Sequence, residues 1–158
     1  MRKFAANYLV SETGIFLKNG IVIVEEDGTI VQFLDTKGDL REIAQLSFHN
    51  GILMTGCIFV RTNDLLAVAE TKDSIRHFVF KLTTGINQIS IQTLVEWCKQ
   101  IQEQFPTMKA PEILNEIAEF LQSSGGFTKE YIPGIFLLIG VDLVHLRFTP
   151  KSRLKKIF

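Results

Sequence analysis

The side chains able to bind a metal or move a proton are few and scattered along this chain. Its only histidines are His49, His77 and His145. None stands two or four residues from another, the spacing that sets two imidazoles on one metal from a single strand or helix turn. Glu70 and Asp73 are the remaining acid/base candidates beside them, and neither sits in a motif. Cys57 and Cys98 form no C-x-x-C pair, and Cys98 lies on an apolar helical stripe, where a thiol is expected buried and inert. No G-x-S-x-G elbow occurs for a Ser/His/Asp hydrolase. Ser123-Ser124-Gly125-Gly126 follows a helix pattern rather than a strand and lacks a Lys-Ser/Thr ending, so it reads as a helix exit and not a phosphate loop. The acidic Glu25-Glu26-Asp27 falls in a turn, and no metal is assigned to it. Catalytic, metal and cofactor sites are therefore all expected to be absent.

The basic tail from Lys151 to Phe158 has no aromatic interleaving for base stacking, so its cations read as protection of an edge strand. Lys+Arg and Asp+Glu balance at 17 each, leaving no net field to attract nucleic acid. The longest apolar stretch, Ile132 to Val144, is broken by Pro133, two glycines and Asp142. It falls short of the ~20 residues a membrane-spanning helix needs. The start of the chain lacks a signal-like apolar region, and two isolated cysteines suit a reducing compartment, so a soluble cytoplasmic protein is expected. Thirteen Phe against two Tyr and one Trp suit a dry core or a buried subunit interface. With 158 residues and a mean hydropathy of +0.20, one packed domain over 1–158 is expected.

The elements follow from periodicity. Phe4–Val10, Gly14–Lys18 and the β-branched Ile21–Val24 read as strands, and Asp27-Gly28 turns the chain into a partner at Thr29–Leu34. Leu40–Gln45 is a short helix or a loop. Leu46–Phe48 and Gly51–Met54 read as short strands around an Asn50-Gly51 turn, with Cys57–Arg61, Leu65–Thr71 and Ile75–Leu82 continuing a meander. Ile91, Leu94, Val95, Cys98, Ile101 and Phe105 then recur at helical steps, with Ser90 as cap and Pro106 as stop. Pro111 opens a second helix, and the tail returns to strands at Ile135–Ile139, Leu143–Phe148 and Arg153–Phe158. The fold class is α+β: a sheet or sandwich built from N- and C-terminal strands, with two adjacent helices at about 90–105 and 111–122.

Taken in order, several segments resemble the two ends of an amidohydrolase-superfamily enzyme. The likeness is to the branch of chlorohydrolases and cytosine-deaminase-like proteins, particularly metal-dependent hydrolases of the Bacteroidetes. It rests on Phe4-Ala-Ala-Asn-Tyr8, Lys18-Asn-Gly-Ile-Val22, Asp27-Gly-Thr-Ile30 and His49-Asn-Gly-Ile-Leu-Met-Thr-Gly56 near the start. Near the end it rests on Asn87-Gln-Ile-Ser-Ile91, Pro133 to Leu143, and Leu146 to Arg153. The resemblance implies a composite β-sandwich made by both chain ends, with a short remnant over about 57–122 where relatives carry a metal-binding (β/α) barrel.

Relatives place a His-x-His metal pair after the approach that here reads Thr55-Gly56, and those two positions hold Arg61 and Asn63. A guanidinium has no lone pair to give and repels a cation. The late barrel aspartate would fall within about 78–85, a stretch without Asp or Glu. The space between Arg61 and Phe78 cannot hold a barrel that typically takes ~250 residues. The expectation is a non-catalytic, amidohydrolase-like structural or interaction protein, a pseudoenzyme that self-associates as a homodimer because removal of a barrel leaves apolar faces to cover. The alternative is a metal-dependent hydrolase of non-peptide carbon–nitrogen bonds, alone or with a separately encoded barrel. A small-ligand binder using the gap between helices and sheet is a third.

Overall fold

The computed structural model describes residues 1–62, 75–123 and 126–158. Five strands come first: β1 Arg2–Val10, β2 Phe16–Lys18, β3 Ile21–Val24, β4 Ile30–Leu34 and β5 Leu46–Arg61. Then follow α1 Ile75–Thr83, β6 Gln88–Ser90, α2 Ile91–Gln104, α3 Ala110–Ser123, β7 Phe127–Ile139 and β8 Arg153–Lys156. The fold is α+β. N- and C-terminal strands share one mixed sheet in the order β4-β3-β1-β5-β7-β8, with β2 added to β1 and β6 to β5. Among the described residues only the β1–β5 pairing is parallel.

The β3–β4 hairpin forms where the Asp27-Gly28 pair placed it. Asp27 Oδ1 accepts the Thr29 N–H at 2.9 Å, and Glu25 N–H closes on Thr29 O at 2.8 Å. The two expected helices also form, α2 with Ser90 Oγ accepting the Thr93 N–H as a cap. Their apolar stripes, Leu94, Cys98 and Ile101 on α2 and Ile113, Ile117 and Phe120 on α3, are buried against one face of the sheet. Covering a side chain of that size is worth about 1.5–3 kcal/mol relative to leaving it wet.

Three segments differ from the sequence expectation. Asn50-Gly51 does not end a strand. It forms an irregularity inside β5, where pairing with β1 passes from Ala6↔His49 to Tyr8↔Ile52. Gly51 takes φ +140° there, its N–H donates to Asn7 Oδ1 at 2.7 Å, and a Cβ would lie 2.5 Å from Leu138 O. The same glycine freedom that makes a hairpin turn here makes a bulge between central strands. Ile75–Leu82, read as extended, belongs to α1. Ile75, Val79 and Thr83 are its buried residues, a four-residue step that a short apolar run conceals when read as alternation. Leu143–Phe148 is a turn with a single bridge between Asp142 and Arg147. Asp142 Oδ1 accepts the N–H groups of Val144 and His145 at 3.0 Å each, and this local competition replaces a strand ladder. Residues 40–45 form a loop and turn. The Leu65–Thr71 strand expectation lies outside the described residues.

The other face of the sheet carries a second core. Phe4, Leu9, Val22, Leu53, Ile135 and Leu137 are buried there, and among the described residues no helix covers them. The sheet curls to enclose them. The β3–β4 turn reaches β7, so that a Cβ on Gly28 would lie 3.3 Å from Pro133, although β1 and β5 intervene in the strand order. Phe158 closes the open end against Phe4, with ring centroids 5.5 Å apart and the Arg2 guanidinium 4.7 Å from the Phe158 ring.

Candidate functional site: a cleft between helices and sheet

β1 ends at Val10, and the chain turns through Ser11–Ile15 before β2. Ser11 N–H bonds Ile15 O at 2.9 Å, and Ser11 Oγ accepts the Ile15 N–H at 3.2 Å. The Tyr131 hydroxyl of β7 donates to Glu12 O at 2.6 Å, fixing this turn against the sheet. Between the turn, the β5–β7 ladder and the two long helices lies a cleft of about 290 Å³. Its floor is apolar: Met54, Cys57 and Phe59 from β5, Ile91 and Leu94 from α2, and Leu114 from α3. Its rim is polar: Glu12 and Thr13 from the turn, Lys129 from β7, and Asn115, Glu119 and Gln122 from α3. The α3 residues recur at steps of four and three and so share one helix face.

Cys57 is the one thiol that meets the cleft. Burial pushes its pKa up, and the Lys129 ammonium pulls it partway back, so the protonated form prevails at neutral pH. Cys98 is fully enclosed on α2, and burial pushes its thiol higher still. A protonated thiol beside two carboxylates and an ammonium can shape and orient a ligand, but no imidazole lines the cleft to activate it as a nucleophile.

The histidines do not converge. His49 lies on β5 near the Phe4 ring, at a centroid distance of 6.2 Å, and its Nε2 is buried without a hydrogen-bond partner. His77 is in α1, and His145 pairs with Asp142 across 2.9 Å in an exposed turn. Among the described residues no three of His, Cys, Asp or Glu are grouped as a metal would require. Glu70, Asp73 and Asn63 lie outside the described residues, as do Ser124 and Gly125 of the helix exit. No helix among the described residues is long and apolar enough to cross a membrane.

Arg61 has a structural task that its sequence position did not disclose. Its Nε donates to Ile86 O at 2.9 Å, and its terminal guanidinium nitrogen donates to Thr83 O at 2.8 Å. Its plane lies 4.6 Å from the Phe127 ring centre. A permanent cation thus sits at the negative end of the α1 dipole, adding to the bond that Thr83 O accepts from the Ile86 N–H at 3.1 Å.

A second concavity, about 570 Å³, runs between β4 and the bend of β7. Val31, Phe33, Tyr131, Ile132 and Pro133 give it an apolar lining. The polar rim of the cleft and this groove were both missed in the sequence. The one available signal was the polar face of the second helix, which reads equally well as a solvated surface. Comparison with known protein families, with curated proteins and with solved structures finds no match to this chain.

Proposed function

We propose that this chain is a non-catalytic, amidohydrolase-like structural and interaction protein that associates with itself. The observation that carries the reading is the apolar surface around the β4–β7 groove. Val31, Tyr131 and Ile132 are 49%, 47% and 39% exposed there, beside the half-buried Phe33. A contiguous apolar patch costs free energy in water and is relieved by a partner. The family part of the reading is supported by the shared sheet of N- and C-terminal strands, and the non-catalytic part by Arg61, whose guanidinium has no lone pair to give a metal. Sedimentation velocity from micromolar to near-millimolar protein tests the proposal. A weight-average mass rising to that of a dimer is expected, and a constant monomer mass would overturn it. Metal analysis after dialysis tests the catalytic side, because stoichiometric zinc or nickel would replace this reading with that of a hydrolase, alone or with a separate barrel.

The cleft favours a second activity for the same protein, the holding of a small amphipathic molecule. An apolar floor under a rim of carboxylates, amides and one ammonium is the usual make-up of a ligand pocket. Chemical-shift changes confined to Cys57, Asn115 and Lys129 in a fragment screen would identify it, and shifts elsewhere alone would exclude it.

A further inference from the structure

The two edges of the sheet are built differently. β8, at one edge, reads Arg153-Leu154-Lys155-Lys156, and three cations in four residues discourage another strand from pairing there. β4, at the other edge, reads Ile30-Val31-Gln32-Phe33-Leu34 and carries no charge and no proline. Among the described residues no strand pairs with its outer side. The pairing with β3 passes from Gln32↔Ile23 to Ile30↔Val24, so Val31 is a bulged residue turned toward solvent, while Gln32–Leu34 remains regular. The backbone N–H and C=O groups of an open edge are a template for strand addition.

We infer that the outer edge of β4 is the self-association surface of this protein, pairing antiparallel with β4 of a second copy about a two-fold axis near Gln32. This inference rests on the self-association reading above and names its geometry. An isologous contact requires a surface that complements itself. Antiparallel pairing of Ile30–Leu34 with its own copy sets Gln32 against Gln32 and apolar residues against apolar residues, with no like charges opposed. Just beyond the strand Lys37 pairs with Asp35 of its own chain at 3.5 Å, so the contact is left to the uncharged strand itself. The apolar Tyr131 and Ile132 lie alongside in the groove and are covered by the same approach. The chain carries no net charge to oppose the encounter at long range.

The test compares three proteins by sedimentation and light scattering: wild type, Gln32→Lys, and Val144→Lys as a control at an apolar residue that is 87% exposed in a distant turn. Gln32→Lys places two ammonium groups against each other across the axis and is expected to weaken the dimer by about tenfold or more, while Val144→Lys leaves it unchanged. If wild type dimerises and Gln32→Lys dimerises equally well, the edge assignment fails and self-association stands. If wild type stays monomeric, both fail. Hydrogen exchange on wild type gives a readout independent of the variant's folding. Amides within 30–34 are expected to slow as protein concentration rises, and exchange there that ignores concentration would overturn the assignment.

Discussion

Replacing Arg61 by Met removes the charge and the donor fork while keeping an unbranched apolar stem, and the structure gives the size of the loss. Two charge-assisted hydrogen bonds disappear, to Thr83 O and Ile86 O, together with the stacking on Phe127. At roughly 1.5 kcal/mol for each bond and about 0.5 kcal/mol for the stacking, the upper sum is near 3.5 kcal/mol. Arg61 is only partly buried, so water recovers some of that, and a loss of about 2–3 kcal/mol is expected. For a chain of this size it corresponds to roughly 5–10 °C in Tm. Arg61→Lys keeps the charge but offers a compact ammonium in place of a fork, and is expected to recover about half of the loss. Urea denaturation followed by far-UV circular dichroism, with the m-value compared between variants, measures each difference. A loss below about 0.5 kcal/mol for Arg61→Met, at unchanged m, would refute the assignment of Arg61 as the anchor of α1. A gain in stability would point instead to a residue kept for binding at the expense of the fold.

Gln102→Met should be costly for a related reason. The buried amide donates to Phe105 O and Met108 O at 3.2 and 2.7 Å and accepts the Phe148 N–H at 3.0 Å; Phe105 O keeps the Met108 N–H, so the loss takes the partner from Met108 O and from the Phe148 N–H, and about 2–4 kcal/mol is expected in the same denaturation assay. Thiol labelling should be ordered: Cys57, which meets the cleft, reacts slowly in the native protein, and Cys98 reacts only on unfolding, as peptide mapping after timed alkylation would show. The Asp142 carboxylate, stabilised first by the His145 backbone N–H and then by the His145 side chain, should titrate below the ordinary value of 3.8 in a carbon-detected NMR experiment. A depressed pKa means that the turn's contribution is complete above that ordinary value and is lost as pH falls through the lower folded one. Asp142→Asn should abolish this acid-side dependence.

Much of the fold was legible because local chemistry and tertiary demand agree. The Asp27-Gly28 hairpin needs a positive φ that the sequence supplies, and α2 and α3 show apolar steps with a capping serine and a stopping proline. The misread segments are those where one local signal serves two structures. Asn50-Gly51 suits a hairpin turn and a bulge equally, and only the neighbouring carbonyl of Leu138 decides. Ile75–Leu82 is too short for its period to be read without knowing that Val79 faces a core. The residues that line the gap between helices and sheet were illegible for a different reason. The floor of that gap comes from three elements far apart in sequence, and Cys57, Leu94 and Leu114 each look like ordinary core positions until the turn at Ser11–Ile15 fails to cover them. Arg61 could be seen to be unfit for a metal, but the carbonyls it serves belong to a helix that the sequence had concealed.

These points meet in β5. Its sixteen residues pair with β1 at one end, with β6 at the other, and with β7 along most of the length. Met54, Cys57 and Phe59 on one face supply the cleft floor, and Leu53 on the other joins the enclosed core. The strand then ends on Arg61, which grips the end of α1, and α1 packs on α3, whose polar face forms the rim of the cleft. Position therefore passes along one continuous path, from the central strand through a guanidinium clamp to the helix that borders the pocket. The strand thus ends in a guanidinium that has no lone pair to give a metal and that donates to Thr83 O at the end of α1 and to Ile86 O just beyond it. Loosening that clamp should disturb the α3 side of the cleft before it disturbs the β1–β3–β4 side, because only the former is reached through α1.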